Sequence, residues 1–153
     1  MNNKKSWKEI LFAEPLEPRS IDEIQQALKR GENIDIDYDA AARKAARLYI
    51  EAAQKNKKIG RILGRLAHIS ISLNRYLKKG NRDMIWQDWF LDLLEYLDYV
   101  LKKENPEIDE EIDKLGLTGF QHGWAVQAAI GFLKEENYFD EYYFPRTREE
   151  IWA

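Results

Sequence analysis

The sequence predicts an all-α fold: a single-domain bundle of five or six helices around a central antiparallel helical hairpin, closed by an aromatic C-terminal strap. Apolar residues recur at steps of three and four through most of the chain, which is typical of helices that bury one face. The breaks between these stretches are short, and the chain contains no internal repeat. Because 153 residues suffice for one hydrophobic core, we expect one domain over residues 1–153.

The first long predicted helix spans about residues 21–30. Ser20 and Glu23 have the spacing of a capping box, and Gly31 provides a C-terminal stop. Residues 34–37 alternate apolar and acidic side chains, and this short pattern predicts an extended connector before the next helix.

Three longer helices follow, over about residues 39–56, 58–79 and 82–103. The first of them is rich in alanine on one face, which allows another helix to approach closely. The other two carry apolar stripes and are separated only by Gly80 and Asn81, so they are expected to form the antiparallel hairpin.

Two further helices complete the predicted bundle. Pro106 opens a short acidic helix over about residues 107–115, since proline is favoured at the first position of a helix. Thr118 and Gln121 have the spacing of a second capping box, and the last helix continues from there to about Glu136.

The two ends of the chain are expected to lie outside the long helices. Residues 1–19 form an N-terminal arm that starts with a short helix, because Pro15 and Pro18 prevent a longer one. Residues 138–153 form an aromatic tail, which is expected to pack across the bundle or against another molecule, since so many rings are rarely left in water. The rings of the tail are Tyr138, Phe139, Tyr142, Tyr143, Phe144 and Trp152.

Charge is segregated along the chain, although the net charge is only −3. Residues 43–82 contain twelve Lys or Arg and one acidic residue, whereas residues 83–153 contain seventeen Asp or Glu and six basic residues. Such separation indicates either that helices neutralise one another within the fold or that the protein presents faces of opposite sign to partners.

Basic residues at steps of three and four predict a ridge along two of the long helices, which is suited to following the phosphates of a nucleic acid. We therefore expect a non-enzymatic binding protein, a subunit or regulator of a larger assembly, that contacts a nucleic-acid backbone or an acidic partner. The neighbouring acidic helix could instead screen the ridge within the fold. The candidate binding residues are Arg43, Arg47, Lys58, Arg61, Arg65, His68, Arg75 and Lys79.

The alternative is a protein-interaction module, an inhibitor or adaptor, that binds through its acidic helices and its aromatic tail. Acidic side chains at helical spacing give the fourth long helix one charged face, and the tail adds aromatic side chains that are favoured at interfaces. The candidate residues of this alternative are Asp88, Asp92, Glu95, Asp98, Tyr142, Tyr143 and Trp152.

A third hypothesis concerns Arg61 and His68, which lie on one helical face with six residues between them. The pair resembles the Arg/His motif of HEPN ribonucleases, which are small helical bundles. The resemblance implies metal-independent RNA cleavage, in which His68 acts on the 2′-hydroxyl group and Arg61 stabilises the phosphate.

Two other groups were weighed as sites. Glu95 and Asp98 are similar to one of the carboxylate pairs that hold magnesium in all-α nucleotide pyrophosphohydrolases, but a solvated acidic face explains them with fewer assumptions. His122 lies in the first turn of the last helix, where free amides can bind an anion. The favoured interpretation there is an ordinary helix start with Phe120 and Trp124 in the core.

The composition excludes several classes of site. The chain has no cysteine, so it has no disulfide, thiolate metal site or cysteine nucleophile. It shows no phosphate-binding glycine loop, zinc-ligand pattern or serine nucleophile motif, so an enzyme is less expected than a binding protein, and neither a cofactor nor a small-molecule ligand is expected. We also expect no secretion signal and no membrane span, and hence a cytoplasmic location.

Overall fold

The structure, a computed structural model, is all-α over the part of the chain that it describes. The described residues are 6–12, 20–32, 35–78 and 85–139, without the side chains of residues 21, 35–39, 70–78 and 85–89. Seven helices and no strand occur in these ranges: α1 (Trp7–Leu11), α2 (Ile21–Lys29), α3 (Asp35–Lys55), α4 (Lys57–Lys78), α5 (Ile85–Glu104), α6 (Pro106–Lys114) and α7 (Gly119–Glu135). The all-α prediction is confirmed, with more helices than the five or six expected.

The clearest difference from the predicted boundaries is at the start of α3. This helix begins at Asp35, so residues 35–37 are helical and the predicted extended connector is wrong there. Asp35, Asp37 and Asp39 suit the start of a helix, because acidic residues interact favourably with the positive end of its macrodipole. Alternation over four residues is too short to distinguish a strand from a helix.

The core is built on a close contact between α3 and α7, which is the most extensive contact between any two helices of the described chain. Both helices bury alanines, whose small side chains allow the backbones to approach: Ala45, Ala46, Ala52 and Ala53 on α3, and Ala125, Ala128 and Ala129 on α7. Helix α4 contacts α3, α5 and α7, and α6 contacts α3 and α5. The larger buried side chains of α4 and α5 fill the remaining core: Ile59, Ile62, Leu63, Leu66, Ile69, Leu93, Leu97 and Leu101.

Local signals fix three helix ends. Gln121 N donates to Thr118 Oγ1 at 3.2 Å and Thr118 N donates to Gln121 Oε1 at 2.9 Å, which confirms the capping box of α7. At α2 only half of the box forms: Glu23 N donates to Ser20 Oγ at 3.3 Å, but the Glu23 carboxylate accepts from the Ser20 hydroxyl instead of a backbone amide. Gly31 ends α2 with a φ of 78°, which glycine adopts without strain.

Trp7 holds α1 against α7. Its indole lies over Gly131, where an added Cβ would overlap the ring. It also meets Trp124 edge-on, with ring centroids 6.0 Å apart. The Trp7 backbone amide donates to Glu135 Oε2 at 2.9 Å. One large side chain thus docks the helix of the N-terminal arm on the bundle.

Replacing Gly131 with alanine is expected to destabilise the protein. Its methyl group would displace the Trp7 indole, and overpacking of this kind costs about 1–3 kcal/mol. Gly123 is the matched control in the same helix, since a Cβ there meets no described atom within 4 Å. Gly123→Ala is expected to add about 0.5–1 kcal/mol through helix propensity. Denaturant unfolding measures both changes, and equal stabilisation by the two substitutions would contradict the docking of Trp7.

The chain reverses direction directly after α7. Asn137 adopts a φ of 53°, Asn137 N donates to Lys134 O at 3.1 Å, and Tyr138 N donates to Leu133 O at 2.9 Å. These are the two hydrogen bonds of a Schellman motif, here with asparagine in the left-handed position that glycine usually occupies. The motif directs the start of the aromatic tail back across the bundle. Residues 140–153 lie outside the described part of the chain, so the full strap stays a prediction.

Two glycines of α4 receive the first rings of the tail. A Cβ at Gly60 would collide with the Tyr138 ring, and a Cβ at Gly64 would lie 3.2 Å from Phe139. The Tyr138 hydroxyl donates to Ala53 O at 2.5 Å. Because Ala53 is in the last turn of α3, its carbonyl is one that the helix itself leaves without an amide donor. Tyr138 therefore caps α3 while it packs on α4.

Tyr138→Phe is expected to lower the free energy of unfolding by about 1 kcal/mol, because it removes the hydrogen bond to the Ala53 carbonyl and keeps the ring. Tyr99→Phe is the matched control, since the Tyr99 side chain is 58% exposed on α5 and its hydroxyl can remain hydrated. Urea unfolding of both variants separates the two cases. Equal losses would show that the Tyr138 hydroxyl makes no specific contribution.

Candidate functional site

The candidate residues of the predicted basic ridge differ in their exposure to solvent. The eight candidates fall into four groups: exposed (Lys58 and Arg61), half-buried (Arg43 and Arg47), buried (Arg65 and His68), and beyond the described side chains (Arg75 and Lys79). Relative exposures of 6% for Arg65 and 7% for His68 show that these two candidates do not belong to the part of the ridge that is open to solvent.

Packing around α4 explains their burial. Helix α4 contacts three other helices, and after Arg61 none of its described side chains, which end at Ile69, is exposed. His68 follows Gly64 by one helical turn and lies on the stripe on which Gly60 and Gly64 receive the tail. Polar residues at regular spacing predicted an open face, but they gave no information about a segment that returns from the other end of the chain.

The same burial separates the pair that resembles the HEPN motif. Arg61 is exposed and His68 is buried. RNA cleavage of that kind needs the histidine and the arginine at one phosphodiester. The structure does not present the two side chains on a common open surface.

The exposed positive charge gathers where α3 ends and α4 begins. We call this group the basic turn and define it as Lys55, Lys57, Lys58 and Arg61, all of which are exposed. Lys55 forms an ion pair with Glu51 at 2.8 Å. Within the described residues, Lys57, Lys58 and Arg61 take part in no ion pair, so three of these cations face solvent without an acidic partner.

Asn56 fixes the position of the basic turn. Its Oδ1 accepts a hydrogen bond from Lys58 N at 2.9 Å, which caps the start of α4. Its Nδ2 donates to Glu104 Oε2 at 2.8 Å and to Asn105 Oδ1 at 3.3 Å. One side chain thus joins the α3–α4 connection to the end of α5.

Next to the basic turn, α5 carries two stacked tyrosines, which we call the tyrosine pair. The rings of Tyr96 and Tyr99 have centroids 6.4 Å apart and an interplanar angle of 16°. Lys58 Nζ lies 5.7 Å from the Tyr96 centroid, and Lys103 Nζ lies 5.8 Å from the Tyr99 centroid. The sequence analysis missed this group because it assigned α5 by its apolar and acidic stripes. Two tyrosines three residues apart with a lysine one turn later were the available signal.

Arg47 has an aromatic neighbour of its own. Its guanidinium lies 5.0 Å from the centroid of Phe12, which is 42% exposed. Both residues line a groove of about 290 Å³ along α3, together with Lys44 and Glu51. Part of the positive charge of α3 is therefore used within the fold, where Arg47 contacts Phe12 directly after α1.

Of the candidate residues of the alternative, the protein-interaction module, three have side chains that the structure describes. Glu95 and Asp98 are exposed, Asp92 is half-buried, and the remaining candidates lie beyond the described side chains: Asp88, Tyr142, Tyr143 and Trp152. Asp98 lies at a cleft of about 200 Å³ between α3, α5, α6 and α7. Inside this cleft His122 Nε2 is 2.6 Å from the Tyr49 hydroxyl and 4.0 Å from Asp98 Oδ1.

Burial raises the pKa of two side chains in this cleft. Desolvation raises the pKa of the Tyr49 hydroxyl far above its ordinary value, and the carboxylates of Asp98, Asp109 and Asp113 raise it further. Tyr49 thus keeps its proton, and it donates to His122 Nε2 when that nitrogen is unprotonated. Desolvation also raises the pKa of Asp98, although His122 opposes the shift. The arrangement joins α3, α5 and α7 through polar side chains.

The start of α7 differs from its predicted packing. Trp124 packs against the core as expected, but Phe120 is 85% exposed. Phe120 precedes the buried Ala125 by five residues, which turns it about 140° away from the core face. His122 is turned inward to Tyr49, so its Nε2 is used within the fold and not for an external anion.

Three further findings concern metal sites, membrane spans and similarity to known proteins. No group of three or more His, Asp or Glu side chains in the described ranges is arranged to hold a metal ion. None of the helices described here combines the length and apolar character needed to cross a bilayer. No protein-family model, curated protein or solved structure matches this chain, so function is inferred from its own residues.

Stability is expected to fall as the pH drops from about 7.5 to 5.5 because of His68. Desolvation lowers the pKa of His68, and the charge of Lys134 lowers it further. The unfolded chain therefore binds the proton first, and stability is lost as the pH falls through the ordinary histidine value towards the folded one. His68→Gln is expected to remove most of this loss in urea unfolding. An NMR titration that places the His68 ring at or above the ordinary histidine pKa would contradict its burial.

Proposed function

We propose that the protein is a non-enzymatic binding protein whose basic turn binds the backbone of a nucleic acid. The observation that carries the proposal is the exposure of Lys55, Lys57, Lys58 and Arg61 within one short segment. Exposed lysine and arginine bind phosphates through charge and release counterions, and arginine adds a forked set of donors. In this proposal the protein acts as a subunit or regulator of a larger assembly.

The position of these cations in the helix supports the proposal. Lys57 and Lys58 occupy the first turn of α4, which contains no acidic residue. The macrodipole disfavours cations at this end of a helix by about 0.3–1 kcal/mol each. A bound phosphate would reverse that effect, because the lysines and the helix end would both attract it.

Internal screening, the competing interpretation of the ridge, is weak at the basic turn. Glu51 pairs with Lys55, and Glu104 is bonded to Asn56. The carboxylate of Asp98 lies at the cleft with His122. These acids leave Lys57, Lys58 and Arg61 to solvent, so the positive potential of the turn extends outward.

The second candidate is a protein-interaction module that uses the acidic helices. Glu107, Glu110, Glu111 and Asp113 are exposed on α6, which gives this short helix a negative surface suited to a basic partner. The proposal for the rest of the chain is a bundle centred on the α4–α5 hairpin, with residues 138–153 as a strap over it. A cytoplasmic location belongs to the same proposal.

Reversing three charges of the basic turn tests the function. Lys57→Glu/Lys58→Glu/Arg61→Glu is expected to abolish binding of labelled oligonucleotides at low salt, measured by fluorescence anisotropy. In the wild type, log affinity should fall linearly with log salt, and each phosphate contact contributes about 0.7 to the slope on a single strand.

The matched control changes the same amount of charge elsewhere. Lys29→Glu/Arg30→Glu/Lys114→Glu alters three exposed basic residues of α2, its C-terminus and α6, and is expected to keep most of the binding. Equal losses in both triple variants would show that only net charge matters. A wild type that binds no polyanion at about 50 mM salt would end the proposal.

A further inference from the structure

We propose that the tyrosine pair is a stacking platform for the bases of single-stranded nucleic acid, placed beside the basic turn that holds the backbone. The inference rests on the proposed function and adds the class of ligand. The ligand is a strand with unpaired bases, as distinct from a duplex or an acidic protein.

Each ring of the tyrosine pair has a lysine beside it. Lys58 Nζ lies 5.7 Å from the Tyr96 centroid, the two ring centroids are 6.4 Å apart, and Lys103 Nζ lies 5.8 Å from the Tyr99 centroid. Two nearly parallel rings thus lie between two exposed cations. Sites that bind single strands combine these features, since bases stack on aromatic faces and cations neutralise the phosphates between them.

The two rings have different parts in the platform. Tyr96 is half-buried and packs against the hydrophobic core, so it is held in position. Tyr99 is 58% exposed, and it is the ring that a base can reach from solvent. A stacked base would take the place of the exposed Lys103 ammonium, which lies 5.8 Å from the ring centroid, and it would find the ring already oriented by its neighbour Tyr96.

Charges around the platform set the path of the strand. Asp92 and Glu95 lie about one helical turn before the tyrosines on α5, and they would repel phosphates there. Towards the end of α5 lies the first turn of α4 with Lys57 and Lys58, where the one neighbouring carboxylate that the bonds of Asn56 bring in is Glu104. A bound strand is therefore directed from the tyrosine pair towards the basic turn and away from the start of α5.

The exposed ring distinguishes the classes of ligand. Bases in a duplex hide their faces in the helical stack, so a ring on a protein surface can stack only on a base that is free of it. An acidic protein segment would use the lysines and leave the ring of Tyr99 without a role. The use of Tyr99 is therefore the property to measure.

The experiment compares three labelled ligands of about 12 nucleotides, which is within the usual site sizes for single strands. They are an oligo-dT strand, the same strand in a duplex, and an abasic strand with the same number of phosphates. The wild type is expected to bind oligo-dT about 5- to 150-fold more tightly than the abasic strand, which is the contribution of one stacked base.

Substitutions at Tyr99 assign that difference to the ring. Tyr99→Leu is expected to remove the 5- to 150-fold preference for oligo-dT and to leave affinity for the abasic strand unchanged. Tyr99→Phe keeps the aromatic face and is expected to keep the preference. Circular dichroism checks that the variants fold, and the comparison of ligands on the wild type needs no variant.

Each result has a defined meaning. A preference for bases that disappears in Tyr99→Leu and persists in Tyr99→Phe supports the platform. Equal affinity of the wild type for oligo-dT, the abasic strand and the duplex overturns the platform and leaves the proposed function standing. Binding of polyglutamate without binding of any oligonucleotide overturns both in favour of an acidic protein. Absence of all salt-dependent binding overturns the proposed function itself.

Discussion

The close approach of α3 and α7 is the constraint on which the rest of the fold depends. Alanines on both helices bring the two backbones together, so side chains far apart in the sequence meet. The fully buried Tyr49 is the large exception on the alanine-rich face of α3, and its hydroxyl reaches His122 on α7. A buried tyrosine needs such a partner for its hydroxyl. Helix α4 packs against both α3 and α7, and between residues 57 and 69 its exposed side chains are confined to the first turns.

The two chain ends are attached to this frame by one kind of contact, an aromatic ring over a helical glycine. Trp7 lies on Gly131, and Tyr138 lies on Gly60. A glycine inside a helix lowers its stability by about 1 kcal/mol relative to alanine, whereas burial of a large ring contributes about 1.5–3 kcal/mol. The glycine is therefore compensated only when the ring is docked on it. The stability of α4 and α7 thus depends on the docking of the segments that carry Tyr138 and Trp7.

Helix class and approximate boundaries could be predicted from the sequence, because they depend on local periodicity and on capping residues such as Thr118 and Gln121. Exposure could not be predicted in the same way. His68 and Arg61 share one polar stripe in the sequence, yet one is buried and the other is exposed, since burial depends on segments that return from elsewhere in the chain. The tyrosine pair has a local signal on α5, but its contact with Lys58 joins two helices, and no window of sequence contains that contact.

Asn56 links the start of α4 to the end of α5. Its side chain bonds to the start of α4 and to the junction between α5 and α6, so the cations of the basic turn and the rings of the tyrosine pair are connected by a short, rigid path. Side chains and loops that must be ordered on association each reduce affinity. In the proposed complex these bonds of Asn56 would hold the backbone of both groups before association, and the entropy lost would come mainly from the lysine and arginine side chains and from the ligand.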